Sequence, residues 1–301
     1  MCDFILTKLF FYDKISLTKL VGVSKKGKMI DEKIKIQKSD FIFNHYVFET
    51  PKEVQFQIHS HNACEMIFFL RGNANYVIED KRYKLKRNDI VLIHPNRYHY
   101  IEILDNEPYE RYNVMFDDPE LLRLAGDLIP EQLETLNCKD SIIAENFKKT
   151  DYYYSKFDEL AFIDLLRSLL KEIIYNLRIH SSENDTPAIV SPVLSSAIKY
   201  INDNLFTVER ISEISDKLHI SETYFFKIFK EQLKISPKKY INDKRLLVAQ
   251  KLLCSGKRPT EVYLQCGFQT YTSFYKQYMK LFGCSPSQLS IGPIIPLEEN
   301  S

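Results

Sequence analysis

The sequence has no tryptophan, no closely spaced cysteine pair, no long apolar run and a formal net charge of only +1. The six cysteines (Cys2, Cys64, Cys138, Cys254, Cys266 and Cys284) are scattered. Their spacing excludes a zinc knuckle or a disulfide framework and suits a reducing cytosol. The start, Met1-Cys2-Asp3-Phe4-Ile5-Leu6-Thr7-Lys8, lacks the charged-then-apolar order of a signal peptide. No apolar stretch approaches the roughly 20 residues that would span a bilayer. The expectation is a cytoplasmic chain with no membrane partner.

What is present is an aromatic and aliphatic core: 20 Phe and 19 Tyr, 45% hydrophobic and 27% charged residues over 301 positions. That is ordinary globular composition, and the length suits two domains. The near-zero charge hides an asymmetry. From Ile189 onward there are 15 Lys/Arg against 10 Asp/Glu, which leaves 26 against 30 for the rest. A basic C-terminal third on a mildly acidic remainder fits a nucleic-acid module joined to a different one.

Between about residue 40 and residue 116 the sequence alternates apolar and polar with period two. Val54–Ile58, Glu65–Leu70, Ala74–Glu79 and Ile90–Ile93 are the clearest cases, punctuated by Gly72-Asn73, Glu79-Asp80 and Asn88-Asp89. Many short strands at such spacing predict a β-barrel or sandwich. Gly22 and Gly27 predict a loop before a further strand. After Phe116 the period becomes helical, with a short helix at Pro119–Ile129 and a long one at Lys156–His180 whose wide apolar stripe predicts burial against the barrel and a second subunit. Ser181-Ser182-Glu183-Asn184-Asp185-Thr186-Pro187 reads as the linker, and everything from Ser191 to about Leu289 as short helices.

The helical part repeats itself. Phe225-Phe226-Lys227-Ile228-Phe229, followed by Ser236-Pro237, recurs without a gap as Phe274-Tyr275-Lys276-Gln277-Tyr278, followed by Ser285-Pro286. Each copy has helix-turn-helix grammar: a supporting helix (Glu209–Leu218, then Thr260–Cys266), a turn, and a second helix capped by Ser221 or Thr270. In the first copy Phe225, Ile228 and Phe229 point inward, while Glu222, Thr223, Phe226, Lys227 and Lys230 face out. In the second, Phe274, Tyr278 and Leu281 point inward, and Gln269, Thr270, Tyr271, Thr272, Tyr275 and Lys276 face out. Gly267 suits a left-handed turn. A helix from Pro237 to about Cys254 would be a rod of about 26 Å, able to hold two recognition helices in successive major grooves.

Residues from about 194 to 290 resemble the AraC/XylS-type DNA-binding domain. The matching run is Tyr200-Ile201, Ser221-x-x-Tyr224-Phe225, Phe229-Lys230, Ser236-Pro237, Tyr240-Ile241, Arg245-Leu246, Ala249, Leu252-Leu253, Gly267-Phe268, Phe274, Phe282-Gly283 and Ser285-Pro286. The resemblance implies a sequence-specific regulator of duplex DNA, most often an activator contacting RNA polymerase. Lys234 departs from the pattern where a helix-ending glycine is usual, and Pro259, Tyr263, Ser215 and Met279 depart at other positions. Tyr263, in place of a small residue, would re-angle the second unit.

His59-x-His61-x-x-x-Glu65 with Gly72, then Asp89, Pro95 and His99, resemble the two cupin motifs, with Asn88 and Asn96 in place of two glycines. In cupin enzymes the four positions held here by His59, His61, Glu65 and His99 bind a metal, and such a donor set suits Fe, Mn, Ni or Zn. AraC-type sensor domains often keep this pattern without a metal. The expectation is accordingly no cofactor, no catalytic residue, and a small, sugar-like effector held by His59, His61, Glu65, His99, Tyr76 and Tyr98, with Tyr46, Phe68 and Tyr100 nearby. The whole reads as an α+β chain: a cupin-like sensing and dimerising domain at 1–180, a linker at 181–192, a double helix-turn-helix domain at 193–290 and a flexible tail at 291–301. Two rival readings are a metal-dependent cupin enzyme with an accessory DNA-binding tail, and a ligand-independent DNA-binding dimer.

Overall fold

The computed structural model describes residues 30–38, 40–51, 56, 58–131, 133–179 and 188–288. The expected loop at Gly22 and Gly27, most of the Val54–Ile58 strand, the Ser181–Pro187 stretch and the tail lie outside those residues.

The N-terminal part is built on two antiparallel sheets. Strands β1 (Ile30–Gln37), β2 (Phe41–Phe48), β3 (Cys64–Arg71), β6 (Asp89–Ile93), β8 (Tyr109–Phe116) and β9 (Thr135–Asn137) form one, in the order β1-β2-β8-β3-β6-β9. Strands β4 (Ala74–Ile78), β5 (Lys81–Lys84), β7 (His99–Ile103) and β10 (Ala188–Ile189) form the other, in the order β10-β5-β4-β7. The expected barrel is thus an open sandwich, and the segment leading into β3 meets β7 through an isolated His59–His99 bridge.

Side-chain parity explains its layers. Along β3, Ile67 and Phe69 face the smaller sheet, packing with Tyr76, Ile78 and Ile101, while Met66 and Phe68 face the opposite way onto helices. The large sheet is therefore covered on both faces, and every residue of β2 is buried.

The helices on its outer face are α1 (Pro119–Leu128), α2 (Ile142–Lys156) and α3 (Glu159–Ile179). The single long helix read from Lys156 is preceded by a separate one, α2. Its run of lysines and tyrosines blurs the apolar stripe, and it buries only Ile143, Ala144, Asn146, Phe147 and Thr150. The chain breaks at Phe157-Asp158, where the Asp158 carboxylate accepts the Ala161 amide at 2.9 Å and starts α3.

The C-terminal part comprises α4 (Pro192–Asp203), α5 (Ile211–Lys217), α6 (Glu222–Gln232), α7 (Pro237–Cys254), α8 (Pro259–Gln265) and α9 (Tyr271–Phe282). The hydroxyls of Ser221, Ser236 and Thr270 each accept the amide three residues on, so sequence-local capping fixes where α6, α7 and α9 begin. Lys234 ends the first unit with φ +55°, an L-residue doing a glycine's work, and Asn88 and Asn96 turn with φ of +69° and +67°. At Gly267 (φ +75°) an added Cβ would lie 2.4 Å from the Phe206 carbonyl oxygen, so only glycine fits. The departure at Tyr263 is accommodated by rings: it packs edge-on against Tyr271 at 5.7 Å.

The two parts share a core. Tyr98, from the loop before β7, is fully buried in a core with Leu194, Ala197 and Ile201 of α4 and Phe225 and Phe229 of α6, in the first helix-turn-helix unit. It stacks on Tyr240 at 5.1 Å and donates its hydroxyl hydrogen to Asp243 at 2.6 Å.

Candidate DNA interface and sensor cluster

Helices α6 and α9 each bury one face and leave the other bare. Phe225, Ile228 and Phe229, and likewise Phe274, Tyr278 and Phe282, fill the two unit cores. All eleven residues expected to face DNA are exposed: Glu222, Thr223, Phe226, Lys227, Lys230, Gln269, Thr270, Tyr271, Thr272, Tyr275 and Lys276. Phe226, Tyr271 and Tyr275 leave 39%, 37% and 38% of their surfaces in solvent, more than a packing role requires. The 3.8 Å contact of Lys227 with Glu231 is exposed and loose, so the ammonium is available to a phosphate.

The two helices open onto common ground. Glu222 at the start of α6 and Gln269, Thr270 and Ser273 at the start of α9 line one cleft of about 480 Å³ whose floor is α7. Arg245 of α7 sets their relation. Its guanidinium donates to the carbonyls of Leu205 at 2.7 Å, Val208 at 2.6 Å and Gly267 at 2.9 Å, tying the entry to the first unit to the turn of the second. Lys238 and Arg210 also line this cleft and were not singled out from sequence. The only signal for them was their place beside the helix starts at Ser236-Pro237 and Ile211.

In the sandwich, His59, His61, Glu65 and His99 converge, with one ligand atom from each lying within 4.8 Å of all the others. His61 and His99 both turn Nδ1 to a backbone carbonyl, that of Ala63 at 3.0 Å and that of Arg97 at 2.9 Å. A carbonyl only accepts, so each Nδ1 carries the hydrogen and, in the neutral ring, each Nε2 presents a lone pair. Both Nε2 atoms aim at one oxygen, Glu65 Oε2, from 3.1 Å and 3.0 Å; His61 Nε2 is in hydrogen-bonding geometry with it, and His99 Nε2 makes no well-directed hydrogen bond there. Either a ring proton or a metal ion between nitrogen and carboxylate satisfies this arrangement. The Asn113 amide donates to the other Glu65 oxygen and fixes the carboxylate. Burial would raise the Glu65 carboxyl, but hydrogen bonds and charge from His61 and His99 outweigh it and hold it well below the usual range. Three imidazoles, one carboxylate and two Nδ1 anchors are a donor set that fits a divalent transition metal.

The other residues expected at an effector site disperse. Tyr76 stays close, stacked on the His99 ring at 6.1 Å. Tyr98 points the opposite way, into the first helix-turn-helix core, because neighbours on an extended chain alternate sides. Phe68 packs on Phe147 at 4.7 Å on the helix side of the large sheet.

Beside the cluster runs a buried charged seam that sequence reading missed. Glu79, at the β4–β5 turn with φ +51°, accepts from Tyr240 at 2.6 Å and pairs with Lys244 at 2.7 Å and Arg97 at 3.2 Å. Arg97 also holds Glu134 at 2.9 Å. Burial opposes ionisation of Glu79, but Lys244 and Arg97 prevail and depress its carboxyl; Lys244 is lowered by its own burial, which outweighs the attraction of Glu79 and Asp80.

Two family descriptions match this chain: an AraC-like ligand binding domain over residues 46–147 and a helix-turn-helix domain over residues 214–290. The chain belongs to the AraC-type transcription regulators. The probable transcriptional regulator LumQ of Photobacterium leiognathi is 31% identical over 90 residues, 30% of this chain and 36% of that protein. That match spans about a third of LumQ's length. The uncharacterized HTH-type transcriptional regulator YdiP of Escherichia coli is 25% identical over 246 residues, 75% of this chain and 78% of that protein. The HTH-type transcriptional activator RhaR of Escherichia coli is 23% identical over 254 residues, 79% of this chain and 88% of that protein. Among solved structures, ToxT from Vibrio cholerae O395 aligns over 83% of this chain and 97% of that one at 15% identity, with a TM-score of 0.36. Among the described residues, no helix is long and apolar enough to cross a membrane.

Proposed function

We propose that this AraC-type regulator is a sequence-specific activator of transcription, controlled by a small effector bound in the sandwich and acting without catalysis. The observation that carries the proposal is the pair of capped helices whose polar faces are exposed, whose starts border one cleft, and whose flanking segments are tied together by Arg245. Lysines on those faces neutralise phosphates and give affinity that falls with salt, while Thr, Gln, Tyr and Phe side chains read base edges and thymine methyls. An activator bound there can present its remaining surface to RNA polymerase.

Lys227→Ala and Lys276→Ala are each expected to weaken binding to a promoter fragment recovered from genomic binding sites. Each should reduce the slope of log affinity against log salt by about 0.9, with little change in melting temperature. Unchanged affinity and slope in both variants would reject the recognition faces. Transcripts from that promoter should fall in cells lacking the chain; a rise would make it a repressor.

The chain is further proposed to act as a homodimer through α3. Leu160, Tyr175 and Ile179, with 76%, 54% and 71% of their surfaces exposed, lie on one side of that helix. Sedimentation should give twice the mass of one chain for the native protein and a single-chain mass for Tyr175→Glu/Ile179→Glu. A single-chain mass for the native protein at micromolar concentration would reject this interface.

A further inference from the structure

We propose that the effector is a divalent transition-metal ion bound by His59, His61, Glu65 and His99, and that the tripeptide Arg97-Tyr98-His99 relays its occupancy to the first helix-turn-helix unit. This rests on the reading of α6 and α9 as the DNA-binding helices.

The four ligand atoms lie within 4.8 Å of one another. Ligands about 2.0–2.2 Å from a common metal are roughly 3–4.4 Å apart. The cluster is therefore within a few tenths of an ångström of closing on an ion. His61, Glu65 and His99 are buried, and His59 is partly open to solvent. The two Nδ1 bonds to carbonyls leave the imidazoles aimed before any ion arrives.

Drawing in four ligand atoms that lie up to 4.8 Å apart shifts the cluster, and its member His99 is one residue from Tyr98, the interdomain plug. Its backbone exchanges hydrogen bonds with His59, N to O at 2.9 Å and O from N at 3.1 Å. Its ring is tied to the carbonyl of Arg97. Three successive side chains then go to three places. Arg97 reaches Glu79, which holds Tyr240 and Lys244; Tyr98 fills the core around Phe225 and Phe229 and bonds Asp243; His99 enters the cluster. A packed core does not absorb such a shift smoothly, so the loop before β7 and the first turns of α7 move together. Since α7 is the floor between the two recognition helices, the ion biases their spacing.

Coupling of this kind is reciprocal: if the ion changes promoter affinity by some factor, the promoter changes ion affinity by the same factor. The full chain is stripped with chelator and titrated separately with zinc, manganese, nickel and, anaerobically, ferrous salts. Elemental analysis reads stoichiometry, and promoter affinity is measured with and without the ion. One ion per chain is expected, with about a tenfold change in promoter affinity. Glu65→Gln, which keeps the shape of the side chain, should lose the ion while circular dichroism stays native. Tyr98→Phe drops the bond to Asp243, and Tyr98→Leu also drops the stacking on Tyr240. The two should reduce the coupling stepwise towards 1 while the stoichiometry stays at one. Less than a tenth of an ion per folded chain with every salt would overturn the metal site. Full loading with equal promoter affinity, or undiminished coupling in Tyr98→Leu, would overturn the relay. Absence of promoter binding in all states would instead reject the DNA-binding reading on which the proposal stands.

Discussion

Replacing Glu79 by alanine is expected to lower the unfolding free energy by about 3–5 kcal/mol, the usual cost of leaving buried cations without their partner. Glu79 is 2% exposed, Lys244 is 5% exposed, and both lie in the seam between the sandwich and α7. Removing the carboxylate leaves Lys244 without its buried ion-pair partner and Arg97 with Glu134 alone, and the hydroxyl of Tyr240 loses its acceptor. Chemical denaturation followed by fluorescence and by circular dichroism should show one transition for the native chain, because the two parts share the core around Tyr98. The variant should show two, with the helical part unfolding first. A change below 1 kcal/mol would mean that the seam is solvated in solution. Glu79→Leu/Lys244→Met, which replaces the pair with apolar side chains of similar size, should recover most of the loss.

The same group sets a pH dependence. Its carboxyl is depressed in the folded chain, so its contribution is fully present above the ordinary carboxylate range. The contribution disappears as pH falls from the ordinary carboxylate range through the depressed folded value. The stability difference between native chain and Glu79→Ala should therefore be constant near neutrality and shrink only in acid.

Arg245→Met should have a comparable effect on stability, about 3–5 kcal/mol, and a larger one on DNA binding. Three carbonyls, of Leu205, Val208 and Gly267, share this one guanidinium. A buried carbonyl left unpaired costs about 1–3 kcal/mol, partly offset because the buried charge goes as well. The functional loss has a separate origin. Without the tie, α6 and α9 no longer hold a fixed separation, and the second contact must be found from a broader ensemble. Binding to a full promoter site is expected to fall at least 100-fold, approaching the affinity for a half-site, which itself should change little. Arg245→Lys should recover little, because an ammonium cannot reproduce three divergent donors. Equal loss on full and half sites would mean that Arg245 acts only on folding.

Local chemistry made much of this molecule legible. The duplicated Phe-x-x-x-(Phe/Tyr) spacing gave the two inward faces of α6 and α9, and the hydroxyl residues ahead of them gave the starts. The His59-x-His61 pair could be placed on one side of an extended segment by parity alone. Helix α2 was not legible, because its tyrosines and lysines spread around the helix instead of forming a stripe. Tyr98 and Phe68 point away from the cluster for a related reason: parity separates Tyr98 from His99 and Phe68 from Phe69, and only the finished sheets show which side faces which core.

Sequence by itself determined the elements whose information is short-range: strand alternation, caps, left-handed turns at Asn88, Asn96, Lys234 and Gly267, and the repeat that makes this an AraC-type chain. Tertiary structure alone decided the seam at Glu79, the three-carbonyl tie of Arg245 and the insertion of Tyr98 into the neighbouring domain. Those depend on partners 18 to 165 positions away. No local pattern announces them, because a buried charge becomes tolerable only where distant segments happen to bring its counter-charge and exclude water.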